Sequence, residues 1–315
     1  MNSRKRKAAT WLFGLCLLAG QAVAADRFWQ SPQAYLGESP PDEVPRAFAP
    51  GRLADPGTST MGRSAFSRDG REFYFTQNDS WESGKNSKLR EMRFADGRWS
   101  TPRTIALEAM SPTLSIDGQT LYMRKGGMQK IWAARRVGQG WSEPALFLER
   151  KQGLYDFMPT TSGRYYVGSE PEEADKTRGS TYVISLLTLD QAEPRVRSLG
   201  APLNAPGFNG DFFIAPDESY MVLSANVTPD FESEAHIAFH KPDGSWSRPV
   251  SLGERINHDK AHRWGYYVPA SGDYLFYSHG TNAQDCALHW VRFKETRERL
   301  RREVLGAAKS PKAHE

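Results

Sequence analysis

The chain has 315 residues, 39% hydrophobic and 12% aromatic, with 41 Lys and Arg, 37 Asp and Glu, and two cysteines. That length can bury a large hydrophobic core, and the composition is neither that of a disordered chain nor that of a disulfide scaffold. The formal net charge of +4 is concentrated in one N-terminal stretch, so a general affinity for nucleic acid loses its main support.

That stretch, Arg4 to Lys7, precedes a mostly apolar run from Ala8 to Gly20 and then Ala22-Val-Ala24. A positive start, a short apolar run and an A-x-A site are the signature of a secretory signal peptide. Residues 1–25 are expected to be cleaved, leaving no membrane span and a periplasmic or secreted protein. Removal takes four basic residues and leaves 37 basic against 37 acidic. Cys16 leaves as well, and Cys286, in an apolar run, reads as a small buried hydrophobe.

Residues 26–61 form a proline-rich lead. From residue 62 a short phrase recurs: Ser64 to Phe75, Thr113 to Met123, Met158 to Val167, Phe213 to Leu223 and Tyr267 to Tyr277. Each copy is a strand, a polar turn and a second strand rich in aromatic and β-branched residues. Asp-Gly and Ser-Gly suit hairpin turns because glycine tolerates positive φ. The turn glycines or their equivalents are Gly70, Gly118, Gly163, Glu218 and Gly272, spaced by 48, 45, 55 and 54 residues. A unit repeating at that spacing predicts an all-β fold, a β-propeller of five four-stranded blades, with six as the alternative.

A second phrase closes the blades: Trp99-Ser-Thr-Pro102, Trp141-Ser-Glu-Pro144 and Trp246-Ser-Arg-Pro249. The repeats divide at about 62–107, 108–153, 154–206, 207–258 and 259–291. The fifth unit lacks the closing phrase, whereas the lead carries a surplus copy at Trp29-Gln-Ser-Pro32. Residues 28–37 are therefore expected to supply the outer strand of the last blade and close the ring, removing its exposed edges. Residues 292–315 read as a helix and basic tail with eight basic and four acidic residues.

Ser-x-Asp-Gly-x-x-Phe-Tyr-Phe, with Trp-Ser-x-Pro and a trailing Leu-Gly, resembles the WD-like propeller repeat of the TolB type. The likeness runs from Trp29 to about Leu305. It implies a periplasmic or extracellular propeller, often with a binding role, in a family without one shared catalytic set.

Counting seven residues back from each turn glycine or its equivalent gives one comparable position per blade: Arg63, Ser111, Asp156, Asp211 and Gly265. With Tyr155, Arg263 and Trp264 beside them, these positions are the candidate ligand-binding ring at the channel mouth. The expected function is non-enzymatic binding of a protein or polar ligand of the cell envelope by a monomer without cofactor. The alternative is a glycan hydrolase with Asp156 and Asp211 as its carboxylates. His258 and His262 have a spacing that would serve a metal on a helix, but no helix is indicated there and no metal site is expected. The stretch 169–176 and the loop 226–234 are candidate specificity loops.

Overall fold

The computed structural model describes residues 27–80, 84–151, 153–169, 183–189, 194–226 and 232–306. The proposed signal segment and most of both candidate specificity loops lie outside the described residues.

Each repeat opens on a turn whose hydrogen bonds explain its spelling. In the first, Ser67 Oγ donates to Asp69 Oδ1, which also accepts the Arg71 amide, while the Glu72 amide donates back to Ser67 Oγ. In the second, Ser115, Asp117, Gln119 and Thr120 repeat that network. Gly70 and Gly118 follow at φ +76° and +69°, the left-handed region that favours glycine. The fourth turn has Glu218 there instead, at φ +60°. Its buried carboxylate accepts hydrogen bonds from Thr160, Ser162 and Tyr166 of the third blade. Ties between two blades offset the strain of a non-glycine residue at that φ.

The five turns organise five antiparallel sheets, and the chain is a five-bladed β-propeller. In the second blade the strands run outward as Ala109–Leu114, Thr120–Lys125, Lys130–Val137 and Ala145–Glu149. The serine of each closing phrase clamps the third strand. Ser100, Ser142 and Ser247 accept the amides of Arg93, Arg135 and Phe239. The tryptophans brace neighbouring segments: Trp99 Nε1 donates to Gln33 O, and Trp141 Nε1 to the Tyr74 hydroxyl of the first blade.

Ring closure differs from expectation. The outer strand of the last blade is Arg46–Ala47, paired with Trp290 and His289, and not residues 28–37. Tyr35–Gly37 is a short 3-10 turn. Ser31 Oγ is buried without a hydrogen-bond partner among the described residues. The phrase at Trp29 packs through its rings instead. Trp29 lies 5.5 Å from Phe66 and 5.1 Å from Tyr35, and its Nε1 donates to Arg68 O. The lead thus seals the seam between the first and last blades with aromatic rings as well as with one short strand.

Helix α1, Lys294–Gly306, buries Leu300, with Val304 and Leu305 packed on the same core. It covers the edge of the propeller beside the fourth and fifth blades. Among the described residues no helix is long and apolar enough to cross a membrane.

Candidate functional site

The innermost strands share one irregularity. The first breaks between Ser59–Thr60 and Ala65–Phe66. The second, fourth and fifth shift register between Met110 and Thr113, Phe208 and Phe212, and Trp264 and Tyr267. In the third, a bridge at Leu154 is separated from Met158–Pro159. Arg63, Ser111, Asp156, Asp211 and Gly265 all fall in these interruptions, so the count of seven from the turn finds the bulge of each blade.

The bulges pack against one another. A Cβ on Gly265 would sit 2.5 Å from the carbonyl carbon of Gly62; this is a close backbone approach that only glycine permits. Arg63, 3% exposed, reaches every other blade from this centre. Its Nη2 donates to Asp156 and, at 3.1 Å, to Phe212 O. Nε lies 3.4 Å from Tyr266 O, and Nη1 lies 3.5 Å from Thr113 Oγ1. One guanidinium therefore ties five blades at the axis, using the fixed fork of donors that distinguishes arginine from lysine.

Asp156 and Asp211 are brought side by side at the axis, close enough for each carboxyl to act on the other. Asp211 keeps part of its surface accessible, yet its carboxyl is enclosed enough for burial to dominate its titration. Burial first, and the charge of Asp156 second, hold its pKa well above the ordinary carboxylate range, against the opposing pull of Arg63. Asp211 thus keeps a proton that the unfolded chain has already released.

The sign of the pH effect follows. Between the unfolded value of about 3.8 and the raised folded value the folded state binds more protons than the unfolded state. Stability contributed by Asp211 is then complete below that pH and declines as pH rises through the folded pKa. The ceiling is about 1.4 kcal/mol per pH unit for one proton. Asp211→Asn should flatten this decline in melting temperature between pH 4 and 8. An unchanged slope in the variant would assign the decline to other groups.

The remaining candidates lie apart from this centre. Arg263, 1% exposed, latches the linker before the fifth blade by donating to Ile256 O, Ala261 O, Asp259 O and the Asp259 carboxylate. Trp264 stacks on His262, with ring centroids 4.4 Å apart. The Tyr155 ring folds back on Gly153, where an added Cβ would meet it at 2.7 Å. His258 lies beside Asp259 and His279, and His262 is not part of that group.

One opening lies on the face of the Ser-x-Asp-Gly turns. A cavity of about 780 Å³ is lined by Arg63, by the turns of the blades and by helix α1. Trp29, Phe66, Phe213 and Tyr267 contribute aromatic wall. Arg68, Arg297, Arg301, Asp217 and Glu298 contribute charge. Asp156, Asp211, Tyr155, Arg263 and Trp264 do not line it. The sequence count aimed at the strand starts, whereas the turns and the helix enclose the larger space. Nothing local in the spacing of Arg297 and Arg301 indicates that they line one cavity with Arg63.

No protein-family model matches the chain, and no curated protein matches it. Solved structures with similar architecture include TolB proteins. That of a putative TolB from Agrobacterium tumefaciens is 14% identical with a TM-score of 0.43, covering 74% of this chain and 77% of that one. TolB from Acinetobacter baumannii is 14% identical at TM-score 0.42, covering 72% and 53%. The periplasmic gluconolactonase PpgL of Pseudomonas aeruginosa is 14% identical at TM-score 0.40, covering 69% and 64%. The chain spans 60% of a matched Kuenenia stuttgartiensis hydrazine synthase chain and 55% of a matched Bacteroides fragilis putative 6-phosphogluconolactonase chain.

Proposed function

We propose that this chain is an exported, TolB-like propeller that binds an envelope protein or polar ligand without turnover. The binding site is the cavity on the turn face. The observation that carries this reading is the lining of that cavity: Arg68, Arg297 and Arg301 against two carboxylates, set among aromatic rings beside the paired Arg63. A ligand suited to it combines apolar surface with negative charge, as an acidic peptide segment does. Concave sites with apolar walls and a few convergent polar groups are where ligands bind, and arginine is suited to carboxylate recognition.

The hydrolase alternative would draw on Asp156 and Asp211, which interact directly at the axis, and Asp156 is already committed to Arg63. Neither carboxyl faces the cavity.

Arg68 and Arg301 are both exposed, so reversing them should leave the fold intact. An acidic peptide present at about 100 times its Kd should add roughly 2.7 kcal/mol to stability. That gain, read as a rise in melting temperature, is expected to vanish in Arg68→Glu/Arg301→Glu. A panel of acidic, neutral and basic peptides and glycans distinguishes the readings. Glycan turnover abolished by Asp211→Asn would replace binding with hydrolysis.

A further inference from the structure

We propose that His258, Asp259 and His279 form a binding site for a divalent transition metal of zinc type, at the junction of the fourth and fifth blades. His258 and Asp259 lie on the linker that precedes the fifth blade; His279 is in the second strand of that blade, Tyr274–Gly280. His279 Nε2 lies 2.9 Å from Asp259 Oδ2, and His258 Nε2 lies 3.5 Å from the same oxygen. One ligand atom from each of the three residues falls within 4.8 Å of the other two. Tetrahedral zinc with bonds of about 2.0–2.1 Å spaces its donors by about 3.4 Å, so around an ion the 2.9 Å pair opens slightly, the 3.5 Å pair stays as it is and the two imidazole nitrogens, within 4.8 Å of each other, draw together.

The carboxylate is already oriented for this role. Arg263 donates to Asp259 Oδ1 and to three backbone carbonyls of the same linker. Oδ2 lies nearest both imidazoles, with His279 Nε2 also 3.1 Å from Oδ1, and a hydrogen-bonded carboxylate is the usual form of a metal ligand. The His279 ring is in turn packed against His289, with centroids 4.5 Å apart. His258 and Asp259 are exposed, which leaves solvent access for water to complete the coordination. Two imidazole nitrogens and one carboxylate oxygen suit zinc, copper or nickel better than calcium or magnesium, which prefer oxygen ligands. The bound ion would fasten the linker to the fifth blade.

The test is a titration of the full chain, free of any affinity tag, with Zn²⁺ against a chromophoric chelator. One equivalent should bind, and His258→Ala and His279→Ala should each weaken it by at least tenfold. His262→Ala is the control that should change nothing, although it removes the histidine that local spacing pairs with His258. Melting temperature in EDTA establishes that each variant is folded, and His258, at 49% exposure, is the substitution least able to disturb the blade. Stoichiometric binding that survives in His258→Ala/His279→Ala overturns the proposal, and so does binding by the wild type no tighter than by that double variant.

Discussion

Arg63→Ala should cost about 3–5 kcal/mol, the range for breaking a buried ion pair by removing one partner. The residue is 3% exposed and its partner Asp156 8%, so both charges are largely withdrawn from water. The substitution also withdraws a donor from Phe212 O, Tyr266 O and Thr113 Oγ1. Each such group left unsatisfied adds a desolvation penalty of its own. Asp156→Asn should cost less, because the Asp211 carboxyl stands beside it and can take over the pairing with Arg63. Asp156→Asn/Asp211→Asn removes that reserve, so the double variant should lose more than the sum of the singles. The excess is expected within the range of about 0.5–3 kcal/mol for coupled neighbours. Chemical denaturation of the four proteins measures it. Additive losses would mean that Asp211 does not compensate, and an Arg63→Ala loss below about 1 kcal/mol would remove Arg63 as the axial tie.

The parts of this architecture legible in the sequence are those whose causes are local. Ser67 and Asp69 bond within five residues of one another, so the turn announces itself wherever the phrase recurs. A fixed distance from turn to bulge then located Arg63, Ser111, Asp156, Asp211 and Gly265 without reference to any neighbouring blade. The closing strand could not be found in this way. Arg46–Ala47 spans two residues, too few to show alternation, and the Trp29 phrase imitates a closing turn but packs through its rings. The cavity and the histidine cluster were hidden for a related reason. Arg297 and Arg301 reach the turn face only because Leu300 docks helix α1 on the core. His279 meets His258 only through the pairing of His262–Tyr267 with Tyr274–Gly280. His262, at the attractive local spacing, is taken up by Trp264.

Ring closure yields the second large effect. Phe48 directly follows the closing strand, its amide donates to Leu288 O at 2.7 Å, and it is 2% exposed. Its ring lies 5.5 Å from Phe73 and 6.3 Å from Phe66 of the first blade, and 5.0 Å from both Phe276 and Trp290 of the last. One side chain therefore spans the seam where the two ends of the propeller meet. Phe48→Ala should cost about 3–5 kcal/mol, the range for emptying a buried phenylalanine site. The four ring contacts place it toward the upper end, since aromatic pairs add about 0.5–1.5 kcal/mol beyond area burial. Phe48→Leu keeps most of the buried volume and should recover more than half of the loss. Val44→Ala, at a site 66% exposed, should change stability by no more than about 0.5 kcal/mol. Hydrogen exchange at the Phe48 amide separates closure from general packing. If Phe48 holds the seam, that amide should lose protection in Phe48→Ala while the central strand of the second blade, Thr120–Lys125, keeps more of its own. Equal loss in both places would mean that the five blades open as one unit, with the seam no weaker than any other joint in the ring.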